Sequence, residues 1–415
     1  MEAVNMVAGD GPQSILLLGG SKHQVPAIEA AKRLGYRTVL CDYLPDNPGQ
    51  YVADVFYQES TVDKELMLRI ARSENVLGVL AFGTDVAAST AAYIAEHMGL
   101  PTNPLASVEI LSEKQLFRTF LSDNGFPCPA FQELSIDATA LDVVDTAKTM
   151  RLPIVLKPTD SSGSKGVTIL RSLDQLKIEG ALAEAKAFSR NGTLLLEEYI
   201  ESGFPRVIGG DVFVVDQQVV FWGIMSCLRD QQLGGLVPVG ERWPSGLDEA
   251  QLASVHDCIQ ALVSKLGIRF GELNVEIIIA EDGTPYFLEL AARAGGNMIP
   301  NQLSDIAGID LVEANVRFAM GDTMDVAFDG ASASGCYATY MLHAKTDGVF
   351  TGLDLSSAIR PHVYRQVLYS EEGSRVAAFD NASKAIGVLF LRFDDEEQMM
   401  AMFDTIDKHV VLSIE

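Results

Sequence analysis

The chain of 415 residues is predicted to fold as an α/β domain followed by α+β regions. Two patterns lead to this prediction. In the N-terminal region, short apolar runs alternate with helical patterns, which is typical of a doubly wound parallel sheet. Further along, strand-like runs follow one another in groups with helices between them. At roughly 150 residues per domain, the length agrees with about three domains.

The composition predicts a soluble protein that avoids nucleic acid and membranes. Lys and Arg number 31 against 56 Asp and Glu, so the formal charge is −25. Nucleic acid and anionic membranes attract basic surfaces, and neither is expected as a partner, although a few local lysines would suffice for a small anion. The five Cys form no CxxC pair. With no signal peptide or apolar window long enough to span a bilayer, a cytoplasmic location is expected.

The N-terminal strands and helices are predicted from short apolar runs that end in turn residues. A strand at 15–18 ends in Gly19-Gly20, a helix follows at 25–34, and a strand at 38–41 ends at Asp42. Backbone N–H groups at such a turn can hold an anion, as in dinucleotide-binding folds. Because GxGxxG is absent, a plain tight turn is favoured over a nicotinamide site.

Three domains are predicted, at 1–110, 111–320 and 321–415. In the second, a helix over 112–124 has Ser112 as its expected N-cap. The other elements expected there are strands at 153–157, 166–170, 193–198, 209–227 and 269–290 and helices at 137–149, 172–188 and 248–265. In the third, strands are expected at 335–343 and 385–393 and a helix at 396–409.

Lys157 ends an apolar strand, Pro153 to Pro158, and precedes a loop of small residues at 161–166. An unpaired charge in an apolar strand is costly, and a loop of this kind suits backbone contacts to phosphate. The alternative is an edge strand whose lysine reaches solvent beside a flexible hairpin.

The stretch 269–293 is predicted to be a β-hairpin with Asp282-Gly283 as a two-residue turn. That turn places Glu276 opposite Glu289 and Asn274 opposite Ala291 on a polar face. The apolar face is expected to consist of Leu273, Val275, Ile277 and Ile279 against Tyr286, Leu288, Leu290 and Ala292. Because like charges repel across a strand pair, a divalent cation bound to phosphate would explain the two glutamates. The alternative is a solvated face on which they splay apart.

These elements, in this order, resemble the ATP-grasp superfamily from Ile15 to about Asn301. The motifs are Lys114 in Ser-Glu-Lys-Gln-Leu-Phe-Arg, then Lys157 with its loop, Glu197-Glu198-Tyr199-Ile200, and the two facing glutamates. The nearest similarity is to L-amino-acid (dipeptide) ligases and carbamoyl-phosphate-synthetase-like enzymes. The resemblance implies an ATP-grasp fold with an N-terminal Rossmann-like pre-grasp domain and a C-terminal α+β domain.

The resemblance also implies a role for each motif residue. Lys114 and Lys157 would contact the ATP phosphates, and Arg293 would meet the transferred phosphate, so Lys157 and Arg293 are the catalytic candidates. The metal candidates are Glu276 and Glu289. The loop expected to close over the phosphates is Ser161, Ser162, Gly163, Ser164, Lys165 and Gly166, and the residues expected to line adenine are Glu197, Glu198, Tyr199 and Ile200.

One position departs from the family pattern. Many relatives have Glu-x-Asn-x-Arg with the Asn as a further metal ligand, whereas this chain has Ala291 there. Amino-acid ligases of this branch also tend to lack the Asn, and the amide of Asn274 is a candidate substitute. Asp211 lies near where relatives carry a Glu.

The function expected from the resemblance is an ATP-dependent carboxylate–amine ligase that works through an acyl phosphate. ATP and Mg²⁺, with Mn²⁺ as an alternative metal, are the expected cofactors. A small carboxylate and an amine are the expected substrates, and a homodimer is suggested by analogy alone. The alternatives are an enzyme that activates bicarbonate or formate, and a nucleotide-binding protein without turnover.

Overall fold

The computed structural model describes residues 11–161, 164–201, 207–229, 237–331 and 333–415, and these ranges contain eleven α-helices and four β-sheets. None of the helices in these ranges is both long and apolar enough to cross a membrane. The mixed α/β architecture agrees with the predicted fold class. The elements are named below in chain order.

The first sheet is parallel, with the strand order β3-β2-β1-β4. Its elements are β1 Ser14–Leu18, α1 Val25–Arg33, β2 Arg37–Cys41, β3 Val55–Tyr57, α2 Lys64–Ser73, β4 Val76–Leu80 and α3 Ala88–Met98. Successive residues of a strand point to opposite faces. Leu16 and Leu18 accordingly pack with α2 and α3, and Ile15 and Leu17 pack with α1. The predicted doubly wound sheet is confirmed.

Two helices, α4 Leu105–Ser112 and α5 Lys114–Asp123, follow the first sheet. The predicted helix over 112–124 is confirmed as α5, but Ser112 as its N-cap is wrong, because the N-cap is Glu113. Ser112 ends α4, and its hydroxyl donates to the carbonyl of Val108. Glu113 is extended and breaks the helical path, so α5 begins at Lys114. Lys114 therefore lies in a first helical turn, where its N–H donates to the carbonyl of Thr159 at 3.0 Å.

A small antiparallel sheet has the strand order β5-β8-β6-β7. Its elements are β5 Phe131–Ser135, α6 Ala140–Ala147, β6 Ile154–Pro158, β7 Thr168–Leu170, α7 Gln175–Phe188 and β8 Thr193–Glu198. One face packs on α6 and α7 through Ile154, Leu156, Leu194 and Leu196. Since successive residues of a strand point to opposite faces, the side chain of Lys157 belongs to the face away from α6 and α7.

A larger sheet of eight strands has the order β13-β12-β9-β10-β11-β14-β18-β16. Its strands are β9 Ile208–Val215, β10 Gln218–Arg229, β11 Pro238–Trp243, β12 Phe270–Ile279, β13 Pro285–Ala291, β14 Cys336–Leu342, β16 Val363–Leu368 and β18 Gly387–Phe393. The remaining strands, β15 Gly348–Leu355, β17 Arg375–Val376 and β19 Val410–Ile414, form a separate sheet in the order β17-β15-β19. The remaining helices are α8 Glu249–Leu266, α9 Ile299–Ala307, α10 Leu311–Ala319 and α11 Glu396–Phe403.

The predicted single run 209–227 is a hairpin of β9 and β10. It turns at Asp216 and Gln217, which both have positive φ. Two-residue turns of this kind usually contain a glycine, as in Asn-Gly or Asp-Gly. The turn here has no glycine, so the sequence did not indicate it. The large sheet continues across the predicted boundary at residue 320, because β14, β16 and β18 belong to the same sheet as the five strands from β9 to β13. The three-domain division itself stays a prediction.

The close packing of β11 on β14 gives a test of the large sheet. A Cβ atom at Gly240 would lie 2.0 Å from the carbonyl oxygen of Thr339, so Gly240→Ala must push the two strands apart. We expect a loss of about 1–3 kcal/mol in the free energy of unfolding, measured by urea denaturation. Gly180→Ala is the control, because Gly180 lies in α7 with no atom within 4 Å of a Cβ. It should stabilise the protein by about 0.5–1 kcal/mol. An unchanged Gly240→Ala protein would contradict this packing.

Candidate active site

The hairpin of β12 and β13 places two carboxylates directly opposite each other. Glu276 pairs with Glu289, and Asn274 pairs with Ala291, so the predicted register of these residues is confirmed. Like charges at facing positions repel. Burial is the main cause that raises the pKa of Glu289, and the charges of Asp85 and Glu276 raise it further. The guanidinium of Arg229 partly compensates for this repulsion, because it donates to Glu276 at 3.2 Å.

The predicted turn of this hairpin is wrong by one residue, and a β-bulge restores the register. Residues 281–283 form a three-residue loop closed by hydrogen bonds between Ala280 and Thr284 and between Gly283 and Ala280. Beyond the loop, Ile277 pairs with Phe287, so Leu288 is the extra residue of a bulge. The bulge reverses the faces expected near the turn. Phe287 packs in the core with Ile277, whereas Tyr286 and Leu288 line the cavity beside the glutamates.

Three buried charged side chains form a cluster on one face of the small sheet, where Lys157 and Glu197 belong to its inner strands β6 and β8. Lys157 donates to one carboxylate oxygen of Glu197, and Arg118 of α5 donates to the other at 2.9 Å. Their exposures are 4% for Lys157, 3% for Glu197 and 1% for Arg118. The cluster therefore contains two cations and one carboxylate, away from bulk water.

The pKa values of this cluster follow from burial and from the charge count. Burial lowers the pKa of Lys157 to about 8, although Glu197 favours the ammonium. Burial opposes ionisation of Glu197, but Arg118 and Lys157 outweigh it and lower the pKa of this carboxyl to about 2. At neutral pH all three groups are therefore charged, and the cluster carries a net positive charge.

Lys114 lies between the small sheet and the facing glutamates. Its ammonium donates to the carbonyl of Ser161 at 2.6 Å and lies 3.7 Å from Glu289. Lys114 can contact both residues because it is the first residue of α5, and its N–H is bonded to Thr159 just after β6. A cation at this place can attract an anion that also contacts Lys157.

One cavity between the small and the large sheet brings together most of the predicted site residues. Those that line it are Lys114, Lys157, Ser161, Ser164, Glu197, Glu198, Tyr199, Ile200, Glu276 and Glu289, with Arg118 and Arg229. Arg118 and Lys157 lie beside Glu197, whereas Lys114 and Arg229 approach Glu289 and Glu276, so cations line both sides of the cavity. Within the described residues, no group of three or more His, Cys, Asp or Glu side chains could hold a metal ion.

The predicted phosphate loop is described only in part, because Ser162 and Gly163 lie outside the described residues. The hydroxyl of Ser161 donates to the carbonyl of Lys165 at 2.9 Å. Ser164 and Gly166 both have positive φ, and a Cβ atom at Gly166 would lie 3.0 Å from Pro158 and 3.2 Å from α7. The loop therefore turns sharply where it borders the cavity.

The predicted adenine segment leaves β8 with its N–H groups engaged. The N–H groups of Glu198 and Tyr199 donate to the carbonyls of Ala130 and Pro153. The carboxylate of Glu198 accepts from the N–H of Arg151 at 2.7 Å. Glu198 thus holds the neighbouring loop, while Glu197 belongs to the charged cluster.

Arg293 is oriented by the first sheet. Its Nε donates to Asp85 at 2.7 Å, and Nη1 donates to the carbonyl of Ala294 at 2.9 Å. Asp85 follows β4, so this ion pair joins the loop of the first sheet to the end of β13. Arg293 is 8% exposed at its side chain and lines a separate small cavity with Glu272 and Asn315.

A buried carboxyl pair, Asp211 and Glu272, supports the strand ends next to Arg293. Asp211 accepts from the N–H of Gly295 and from the amide of Asn274, both at 2.8 Å, and Asn315 donates to Glu272. Burial and the neighbouring carboxyl raise the pKa of Glu272. Asp211 is thus a positioning residue for the Gly295 loop. The amide nitrogen of Asn274 serves Asp211, and the role of Asn274 as a substitute metal ligand stays a prediction.

Sequence reasoning missed Arg118 and Arg229 as residues of the site. A pattern for Arg118 was present, because it lies four residues after Lys114 and therefore on the same face of α5. No comparable pattern marks Arg229, whose approach to Glu276 depends on the order of β10, β9 and β12 in the sheet.

A family comparison identifies the fold that carries this cavity. The family model described as the carbamoyl-phosphate synthase L chain, ATP binding domain, matches residues 113–327, just over half of the chain. The chain belongs to this family. The matched range begins one residue before Lys114 and contains every residue that lines the cavity between the small and the large sheet.

Sequence relatives agree with this family. The uncharacterized protein y4rH of Sinorhizobium fredii (strain NBRC 101917 / NGR234) is 24% identical over 376 residues, which are 87% of this chain and 74% of the relative. The carbamoyl phosphate synthase large chain of Thermotoga sp. (strain RQ2) is 24% identical over 296 residues, covering 70% of this chain. This match spans only 26% of the synthase large chain.

Solved structures share the fold over nearly the whole chain. The L-amino acid ligase of Bacillus licheniformis has a TM-score of 0.81 at 20% identity, covering 98% of this chain and all of that one. The biotin carboxylase domain of 2-oxoglutarate carboxylase from Hydrogenobacter thermophilus has a TM-score of 0.75 at 20% identity, covering 98% and 92%. Together with the family match over residues 113–327, these structures confirm the resemblance to the ATP-grasp superfamily and the predicted class, an ATP-dependent ligase.

Glu289 offers a test in which stability and activity change in opposite directions. Glu289→Gln removes one of two repelling charges, so the nucleotide-free protein should be as stable as wild type or more stable by a few tenths of a kcal/mol. Mg²⁺-dependent ADP formation should be lost, because the metal loses a hard oxygen ligand. Urea denaturation and a coupled ADP assay measure the two effects.

Glu281→Gln is the matched control for Glu289→Gln, since Glu281 lies exposed at the tip of the same hairpin. It should leave both stability and ADP formation near wild type. Unfolding of Glu289→Gln, or unchanged Mg²⁺-dependent ADP formation, would contradict a metal-binding role.

Proposed function

We propose that the protein is an ATP-dependent carboxylate–amine ligase that forms an amide or peptide bond through an acyl phosphate. The observation that carries the proposal is the charge arrangement of the cavity. Lys114 and Lys157 line the same cavity as Glu276 and Glu289, which face each other across β12 and β13. A protein that only binds nucleotide needs no such opposed pair, whereas phosphoryl transfer requires the phosphate charge to be neutralised from several directions.

The side chains fit ATP with Mg²⁺ by their chemistry. The two carboxylates are hard oxygen ligands that repel each other without a cation, and the lysines are suited to phosphate oxygens. In this assignment Glu276 and Glu289 hold Mg²⁺, Lys114 and Lys157 contact phosphates, and the 197–200 segment borders the adenine. The bound metal would supply neutralisation of charge on the transferring phosphoryl group.

The chemistry divides into two displacements. A carboxylate oxygen of the substrate attacks the terminal phosphorus of ATP, the bond to the bridging oxygen breaks, and ADP leaves. The amine nitrogen then attacks the acyl carbon, phosphate leaves, and the amine gives up a proton. In this assignment Arg293, held by Asp85, would stabilise the negative charge of the acyl phosphate. The Ser161–Gly166 loop would exclude water, which would otherwise hydrolyse that intermediate.

Amino acids are the substrates that we propose to test first. The structural neighbour with a TM-score of 0.81 is an L-amino acid ligase, which supports this choice at the level of the fold. The test is an ADP-release assay with single amino acids and pairs of them, followed by mass spectrometry of the products. Separate reactions contain bicarbonate or formate in place of the amino-acid carboxylate.

A condensed product that forms together with ADP and phosphate would support the ligase. Carboxylated or formylated products without condensation would replace it with bicarbonate or formate activation. Hydroxylamine added to the reaction should convert an acyl phosphate to a hydroxamate, which reports the first displacement alone. Nucleotide binding without ADP release across the whole panel would contradict turnover.

Lys157 offers a pH-dependent test of the phosphate assignment. Because burial lowers the pKa of Lys157 to about 8, the ammonium is lost at a lower pH than in an ordinary lysine. Affinity for ADP with Mg²⁺, measured by calorimetry, should therefore fall as the pH rises above about 8. Lys157→Met should bind ADP at least tenfold more weakly at pH 7 and show no such decline between pH 7.5 and 9. A folded Lys157→Met protein with full ADP affinity would contradict the assignment.

A further inference from the structure

Arg118 contacts both sheets that enclose the nucleotide cavity. Its Nε donates to Glu197 at 2.9 Å at the end of β8, in the small sheet. Its Nη2 donates at 3.2 Å to the carbonyl of Leu288, the residue before Glu289 in the large sheet. The third nitrogen, Nη1, is buried and has no hydrogen-bond partner among the described residues. One guanidinium of α5 thus joins the residue that holds Lys157 to the strand that carries Glu289.

The same contact determines the net charge of the cluster that contains Lys157. Lys157 and Arg118 bind different oxygens of the Glu197 carboxylate. With both cations present, the single negative charge is divided between them. Without Arg118, the carboxylate would pair with Lys157 alone, and a neutral buried pair would attract phosphate less strongly.

We infer that Arg118 is a positioning residue for the phosphates of the nucleotide. Its contacts with Glu197 and Leu288 leave the Lys157–Glu197–Arg118 cluster with a net positive charge, and they fix this cluster relative to Glu289 across the cavity. Arg118 acts through Lys157 and need not touch the nucleotide itself. This inference rests on the proposed function only in that the cavity binds a nucleotide, and it does not depend on which acyl group is activated.

A role in folding alone would have a different consequence. Loss of packing at Arg118 would weaken adenosine and ADP binding together, because both ligands would occupy the same disturbed cavity. A role through Lys157 weakens only the part of binding that phosphates contribute. The informative quantity is therefore the ratio of the adenosine dissociation constant to the ADP dissociation constant, which measures the benefit of the phosphates.

The experiment measures this ratio by calorimetry with Mg²⁺ for the full chain and its variants. Arg118→Met removes the charge and both contacts, and the ratio should fall at least tenfold. Arg118→Lys keeps the charge but cannot reproduce the planar fork, and the ratio should fall about threefold. Lys157→Met leaves Arg118 as the partner of Glu197 and removes the lysine itself. Its ratio therefore shows how far the ratio falls when the contribution of Lys157 is lost completely.

Arg37 provides the matched control, because it forms a partly buried ion pair with Glu74 at 2.7 Å in the first sheet and does not line the cavity. Arg37→Met and Arg37→Lys should leave the ratio unchanged even if they lower the denaturation midpoint. A wild-type ratio in Arg118→Lys, or a parallel loss of adenosine and ADP affinity in the Arg118 variants, would overturn the inference. If Arg118→Met does not fold, Arg118→Lys decides by the same criterion.

The result also separates this inference from the proposed function. If wild-type protein binds ADP no better than adenosine, the phosphate site fails, and the ligase proposal fails with it. If wild-type protein prefers ADP and the Arg118 variants keep that preference, only the role of Arg118 is overturned. A lowered ratio in a protein that never forms an amide would support Arg118 and count against the ligase.

Discussion

The repulsion between Glu276 and Glu289 is the constraint around which the cavity is arranged. Facing carboxylates cost free energy unless cations compensate for them, and the surrounding side chains supply part of that compensation. Arg229 approaches Glu276, and Lys114 approaches Glu289. A divalent cation with phosphate oxygens would complete it, because a hard cation is attracted to both carboxylates. The pair is therefore poorly suited to the free protein and well suited to a nucleotide complex.

The opposite wall of the cavity presents the complementary charge. Two cations and one carboxylate are buried beside the small sheet, so a net positive charge lies away from water. Electrostatic interactions are stronger there than at an exposed surface, because solvent screens them less. The overall charge of −25 consequently says little about ligand preference. A strongly acidic protein can bind a polyanion where a few cations are fixed at short range.

The helix α5 connects these two walls. Lys114 at its start reaches Ser161 and Glu289, and Arg118 one turn later reaches Glu197 and Leu288. One helix thus links the charged cluster of the small sheet to the facing glutamates of the large sheet. The neighbouring structures share this fold, although one is an L-amino acid ligase and another is a biotin carboxylase domain.

The sequence by itself determined the doubly wound first sheet and the strand of Lys157, because hydrophobic periodicity acts locally. The tertiary structure decided the rest. The register of the β12–β13 hairpin comes from a three-residue loop and a bulge, not from a two-residue turn. The loop alone would shift the strand pairing by one residue, and the bulge shifts it back. Arg118, Arg229 and the Asp211–Glu272 pair meet their partners across strands and helices far apart in the chain. Such contacts depend on sheet order and helix placement, and no spacing along a single segment encodes them.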